Sequence, residues 1–415
     1  MTKRPLEPPP ELLRVWKASG EEMASLPVEQ LSLGRFLKIS FGQNSGRVSD
    51  VKALKRYLEP LCGTPRFRQR LLNDGVMLDD GAVLNSPLDL QLVLLRFSDA
   101  SDRMDTNLSK AAEEGMEALV EEILGRPRDP DFLGSETLPA LWVASQRGHD
   151  GIVRLLLEAK ANKDASHCRR QITQPNSRTT CIAVAAERGF VDVVRLLLDA
   201  GARQALPREG TTVYDTPLAT AAAAGHLDTV RLLLETGVDK DMLANTNFKG
   251  RAPLAWAVQE GHLDIAQLLL DAEADANQTC ALGSGVLLRG TLGRTPLVWS
   301  CEEGRDEQVR LLLGSGADKD RRGPCTPLGA AARRGHLSVV RLLLEAGANI
   351  EASHPNDGRA PLWLAAAEGH YDVVQFLLRA RADKERTDRS GFSPYWIASN
   401  KNFPEVRKLL FFRGV

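Results

Sequence analysis

The chain has 415 residues, of which 43% are hydrophobic and 26% charged, with a formal net charge of −1. That length exceeds the roughly 250–300 residues at which a single core stops growing, so two or three domains are expected. The balanced charge gives no general electrostatic attraction to nucleic acid or anionic lipid. No apolar run approaches the roughly 18 residues of a membrane span, and MTKRPLEPPP places charge and proline where a signal peptide needs an apolar core. Six scattered cysteines (62, 168, 181, 280, 301 and 325) lack C-x-x-C spacing. They read as reduced thiols, which fits the cytoplasm, with the nucleus as the alternative.

In chain order, residues 1–10 read as a disordered proline-rich start. LLRVWKASG and EEMASLPVEQL read as two paired strands, and SDVKALKRYLEPLC as an amphipathic helix. RFRQRLLNDG, VMLDDGAVL and DLQLVLLRF follow as strands, punctuated by Asp74-Gly75 and Asp80-Gly81. Residues 11–98 therefore predict an α+β sheet crossed by one helix. The segment SLGRFLKISFGQNSGR (32–47) stands outside that plan, as a loop or a further strand.

From RQRLLNDG, the following LDDG and LQLVLL, the region from Val51 to Phe97 resembles the second half of ubiquitin. The resemblance implies a ubiquitin-like β-grasp domain over 11–98, with 99–102 as linker. Two departures are visible. The last strand runs into FSDASD without a Gly-Gly end, so conjugation to targets is not expected. Val76 stands where ubiquitin carries a chain-linking lysine, so chain building there is not expected either. Leu72, Gln91 and Val93 fall where ubiquitin presents its partner-binding patch, with burial as strand core the competing reading.

From Arg103 to Val415 a repeat dominates, as in TPLATAAAAGHLDTVRLLLETGVD (216–239) and TPLGAAARRGHLSVVRLLLEAGAN (326–349). One glycine marks each copy: Gly115, Gly148, Gly189, Gly225, Gly261, Gly304, Gly335 and Gly369, with Asn402 in the ninth. Successive spacings are 33, 41, 36, 36, 43, 31, 34 and 33, so the period is near 33 with two insertions. In most copies Thr-Pro or Ala-Pro opens a slim Ala-rich helix, because proline at the first helical position loses no needed N–H. The marker glycine ends that helix as a left-handed cap. A second helix follows with apolar residues at i, i+3, i+4 and i+7, as in Val339, Leu342, Leu343 and Ala346. Neither helix buries its face alone, so stability must come from stacking.

This pattern resembles the ankyrin repeat over about three quarters of the chain. The resemblance implies an all-α solenoid of about nine repeats with a projecting hairpin per unit. Tips are expected at Lys163–Asp164, Lys240–Asp241, Ala276–Asn277, Lys319–Asp320, Ile350–Glu351 and Lys384–Glu385. The family's T-P-L-H histidine is absent throughout, replaced by Ser109, Trp142, Ala183, Ala219, Ala255, Val298, Gly329, Trp363 and Trp396. Packing must stand in for its hydrogen bond.

A search for chemistry runs out at each step. His149, His226, His262, His336 and His370 follow the marker glycine and belong to the repeat, while His167-Cys168 and His354 lie in loops. Gly285–Gly290 lacks the lysine of a phosphate loop, and neither G-x-S-x-G nor H-E-x-x-H occurs. No catalytic residue, cofactor or metal is expected.

Binding is better supported. The exposed first-helix ends place Arg147, Arg188, Glu260, Glu303, Arg333 and Arg334 in a track of changing sign; Glu302 is expected beside Glu303 at the surface. Such a track orients one protein partner and rejects others; charge for solubility is the alternative. Trp142, Trp363 and Trp396 read either as binding anchors or as inter-repeat packing. Trp256 and Trp299, one position later, read as core. The inserted loops 166–179 and 278–294 are partner contacts or tolerated surface growth.

The expected function is a non-enzymatic scaffold that holds a protein client, as a monomer, without nucleic acid or membrane. A second expectation is an adaptor whose ubiquitin-like domain docks on a ubiquitin receptor or proteasome component. A ubiquitin ligase is disfavoured, because no RING-like Cys/His set is present.

Overall fold

The computed structural model describes residues 12–17, 22–27, 50–62, 65–73, 76–83, 89–94, 106–125, 129–131, 138–168, 178–204, 206–207, 214–246, 249–279, 294–321, 323, 325–353 and 357–411. The proline-rich start, segment 32–47, linker 99–102 and most of the two inserted loops lie outside them. The chain divides into two compact units, residues 1–167 with 199–201, and 168–198 with 202–415.

The first unit opens with a five-stranded sheet. Strands β1 (Leu12–Lys17), β2 (Glu22–Pro27), β3 (Gln69–Asn73), β4 (Val76–Met77) and β5 (Asp89–Leu94) lie in the order β2-β1-β5-β3-β4. The central pair β1/β5 is parallel, and the other pairs are antiparallel. Between β2 and β3 lies α1 (Val51–Cys62), which buries Val51, Leu54 and Leu58, the i, i+3, i+7 stripe of a one-sided helix. Buried Phe67 and Leu71 complete the described core of this domain.

Two helix pairs complete that unit: α2 (Thr106–Glu114) with α3 (Glu117–Leu124), and α4 (Ala140–Arg147) with α5 (Asp150–Glu158). The second unit continues with α6 (Cys181–Arg188), α7 (Val191–Asp199), α8 (Pro217–Ala224), α9 (Leu227–Glu235), α10 (Pro253–Glu260), α11 (Leu263–Asp271), α12 (Pro296–Glu303) and α13 (Asp306–Gly314). It closes with α14 (Pro327–Arg334), α15 (Leu337–Glu345), α16 (Pro361–Glu368), α17 (Tyr371–Arg379), α18 (Pro394–Asn400) and α19 (Pro404–Phe411).

Each first helix is short because its ends are written into the sequence. Thr180, Thr295, Thr326 and Ser393 cap their helices by accepting the N–H three residues on. At the other end Gly335 adopts φ +80°, which a side chain would strain. Alanines at the helix centre let neighbours approach: Ala219 packs against Trp256 of the next repeat, and Thr220 Oγ1 donates back to the Ala183 carbonyl at 3.3 Å. Close packing at the position of the absent family histidine thus replaces its hydrogen bond.

All six expected tips are turns. Strand pairing joins β6 (Leu206–Pro207), β7 (Tyr214–Asp215), β8 (Ala244–Thr246) and β9 (Lys249–Arg251) in a sheet ordered β9-β8-β7-β6. At Ala276–Asn277, Lys319–Asp320, Ile350–Glu351 and Lys384–Glu385 the described residues carry the turns without strands. At two of these turns a side chain of the preceding repeat accepts the backbone N–H of the next. Asn349 N–H donates to Asp320 Oδ1 at 2.8 Å, and Asp383 N–H to Glu351 Oε1 at 2.8 Å.

Candidate protein-binding surface

The site is built on the last turns of the first helices, several of which have their end carbonyls held by the following repeat. In the second unit His226 bonds the Glu187 carbonyl at 3.0 Å, His336 that of Glu302 at 3.0 Å and His370 that of Arg333 at 2.9 Å. His262 reaches Ala223 O at 3.3 Å. In the first unit His149 does the same to Glu113 O at 3.3 Å. Each bond satisfies a helix-end carbonyl that the helix itself leaves without a partner. The sixth copy lacks the histidine, and Arg305 Nη1 donates instead to the carbonyls of Val258 (2.7 Å) and Gln259 (3.0 Å).

Next to these carbonyls lie the side chains of the expected track. Arg188, Glu260, Glu303, Arg333 and Arg334 are exposed on the second unit. Arg147, on the first unit, is exposed and pairs with Glu113 at 2.5 Å. Glu302 corrects the expectation of a surface pair, for it is only 6% exposed. Its carboxylate faces Arg294 Nη1 at 3.1 Å and Cys325 Sγ at 3.9 Å. A buried carboxylate needs such a partner, and Arg294, just before the start of the same helix, supplies it.

The aromatic residues divide by environment. Trp142 is buried and meets His167 edge to face, with centroids 5.2 Å apart. Trp363 is buried, and its Nε1–H donates to the Phe392 carbonyl at 3.1 Å. Trp396 is 42% exposed and stacks on Phe392 at 3.8 Å. Trp256 lies in the core as expected. Trp299 does not: it is half-buried, with the guanidiniums of Arg251 and Arg294 at 5.5 and 5.1 Å from its ring. A cation over each ring holds it at the surface without a full apolar shell. Sequence reasoning missed these arginines, although both precede a Thr-Pro or Ala-Pro helix start.

On the N-terminal sheet, the register sets Leu72 opposite Gln91 and Arg70 opposite Val93. Leu72 is half-buried there, while Val76 and Met77 on the neighbouring strand are exposed.

Among the described residues no His, Cys, Asp or Glu group has the arrangement of a metal site, and no helix is long and apolar enough to cross a membrane. Burial pushes the Cys325 thiol up to about 11 and the Cys301 thiol well above the ordinary thiol range. Both are buried and unpaired.

The family model of ankyrin repeats matches residues 108–207, 204–280 and 297–388. With more than half of the chain matched in this way, the protein belongs to the ankyrin-repeat family. A comparison with curated proteins returns no match. Ankyrin repeats are in general modules of protein–protein interaction, and their presence points to such a role here.

Proposed function

We propose that this protein is a monomeric scaffold that holds a protein client along the first-helix ends and turns of its repeats. One observation carries the reading. The carbonyls of Glu187, Glu302 and Arg333 are held by the next repeat, while Arg188, Glu303, Arg333 and Arg334 reach solvent. A fixed backbone displaying variable charged side chains loses little entropy on binding, and its changing sign selects among partners. The buried unpaired thiols fit a reducing compartment, the cytoplasm or alternatively the nucleus.

The test is affinity capture from a cell extract followed by mass spectrometry. It compares the wild type, R333E/R334E on the first-helix ends, and R195E/R231E on exposed positions of α7 and α9. Loss of one set of proteins with the first variant alone supports this surface. Equal capture by all three removes it.

A second reading is favoured by the N-terminal sheet. Its order β2-β1-β5-β3-β4, the parallel central pair and the helix between β2 and β3 are what a ubiquitin-like β-grasp domain has. The register pairs Leu72 with Gln91 and Arg70 with Val93, which supports reading Leu72, Gln91 and Val93 as a ubiquitin-type patch. In this reading the domain docks on a ubiquitin receptor or proteasome component while the repeats hold the client. L72A/V93A should abolish binding to isolated ubiquitin-receptor domains. Full retention would exclude this face.

A further inference from the structure

Arg66 is the most deeply enclosed charge in the first unit, with a side chain of 0% exposure, and three segments converge on it. Its Nη1 lies 3.2 Å from Asp80 Oδ2 within the N-terminal domain. Its Nη2 lies 3.0 Å from Glu121 Oε1 on α3, and its Nε 2.8 Å from Glu158 Oε2 on α5. Further ion pairs surround it: Lys52–Glu121 at 2.6 Å, Arg56–Glu158 at 2.6 Å, and Lys160 with Glu59. Arg70 donates to the Gly125 carbonyl at the end of α3.

These links have a direction. In these pairs the N-terminal domain supplies Lys52, Arg56, Arg66 and Arg70, and the repeats supply Glu121, Glu158 and a carbonyl; Lys160–Glu59 runs the other way. Long side chains span the gap, rather than closely packed backbones of the described elements. A cleft of about 470 Å³, lined by Asp50, Lys52, Asp80, Gly81, Ala118, Glu121 and Glu122, reaches into the contact. A polar contact wetted along its edge gains little from apolar burial and is weakened by salt. Charges held in this way fix which surfaces meet more than they stabilise the fold.

We propose that the first two repeats mask a basic face of the N-terminal domain made by Lys52, Arg56, Arg66 and Arg70, and that this face is a docking surface for an acidic segment of a partner protein. Glu121 and Glu158 occupy the places that the partner's carboxylates take. Two carboxylates on the paired guanidiniums are the charge-assisted arrangement that arginine favours, so the partner competes with the repeats for the same donors. This inference stands apart from the first reading, since it does not use the first-helix ends; of its four basic residues, Arg70 shares a strand face with Leu72 of the second reading.

The experiment uses the full chain and a fluorescein-labelled peptide of twelve glutamates, followed by anisotropy at low salt. E121Q/E158Q removes the internal competitor and is expected to bind the peptide at least about tenfold more tightly than the wild type. Adding K52Q/R56Q to it should reverse the gain. E307Q/E345Q makes the same charge change at exposed positions of the second unit and should leave affinity at the wild-type value. Equal affinity of wild type and E121Q/E158Q, whether both bind or neither does, overturns the proposal, as does an equal gain with E307Q/E345Q. Should E121Q/E158Q fail to fold, amide hydrogen exchange of α1 in the wild type replaces it. Exchange that quickens with added salt supports the mask, and exchange indifferent to salt overturns it.

Discussion

His370 fills the space that a side chain on Gly335 would need. A Cβ at Gly335 would come 2.5 Å from the imidazole Nδ1, while Nε2 of the same ring bonds the Arg333 carbonyl at 2.9 Å. The glycine thus serves two ends: it takes φ +80°, and it leaves room for the clamp from the next repeat. Gly335→Ala is expected to cost about 2 kcal/mol or more, since the left-handed conformation alone costs roughly 1–2 kcal/mol with a Cβ. Urea unfolding of the full chain measures it, and a loss below about 0.5 kcal/mol would contradict the close contact.

Arg305 performs the histidine's task with a different side chain. Its Nη1 serves two carbonyls, Val258 and Gln259. Hydrogen bonds from a charged donor contribute about 1.5–3 kcal/mol, so Arg305→Ala should destabilise by that order. Arg305→His should recover a good part of it. Thermal unfolding of the three proteins decides the matter; an arginine serving only as surface charge would show no difference.

At the turns, a side chain of one repeat accepts the backbone N–H of the next. Asp320 does so for Asn349 at 2.8 Å, and Asn277 does so for Asp318 at 2.7 Å with an amide oxygen. The acceptor oxygen matters here, rather than the charge. Asp320→Ala should therefore cost about 1 kcal/mol, and Asp320→Asn nearly nothing. Equal losses for both in urea unfolding would assign the effect to charge instead.

The carboxyl of Glu121 is held below its ordinary value, first by its hydrogen bond from Lys52, with burial opposing and Arg66 adding to the lowering. A group whose folded pKa is depressed stabilises the fold above its unfolded pKa and loses that contribution as pH falls through the folded value. The first unit should accordingly melt at progressively lower temperature as pH drops below the ordinary glutamate value near 4.5. In E121Q that part of the slope should vanish. A melting profile between pH 6 and pH 3, monitored by hydrogen exchange in α3, checks it.

Cys325, raised to about 11 by burial first and by Glu302 next, stays protonated near neutrality, and burial likewise pushes Cys301 well above the ordinary thiol range. The thiolate is the reactive form. Iodoacetamide at pH 8 should modify both only after unfolding, at a rate that rises with urea. Rapid labelling in the native protein would show that the α12–α14 contact opens readily.

The sequence by itself determined whatever depends on neighbours a few positions apart. The spacing of the marker glycines placed the helix pairs, Thr-Pro marked helix starts, and the six tips fell on turns. Periodicity carries this information because a helix or turn is closed by bonds over three or four residues. The same local reading put Glu302 at the surface and Trp299 in the core; the structure buries the first and leaves the second half-buried. Each answer depends on a residue of another element: Arg294 for the glutamate, Arg251 and Arg294 for the tryptophan. Arg66 shows the limit most clearly, since its carboxylates lie 14, 55 and 92 positions away. No spacing rule links such residues; only the packing of separate elements decides whether an ionised side chain finds its partner out of water.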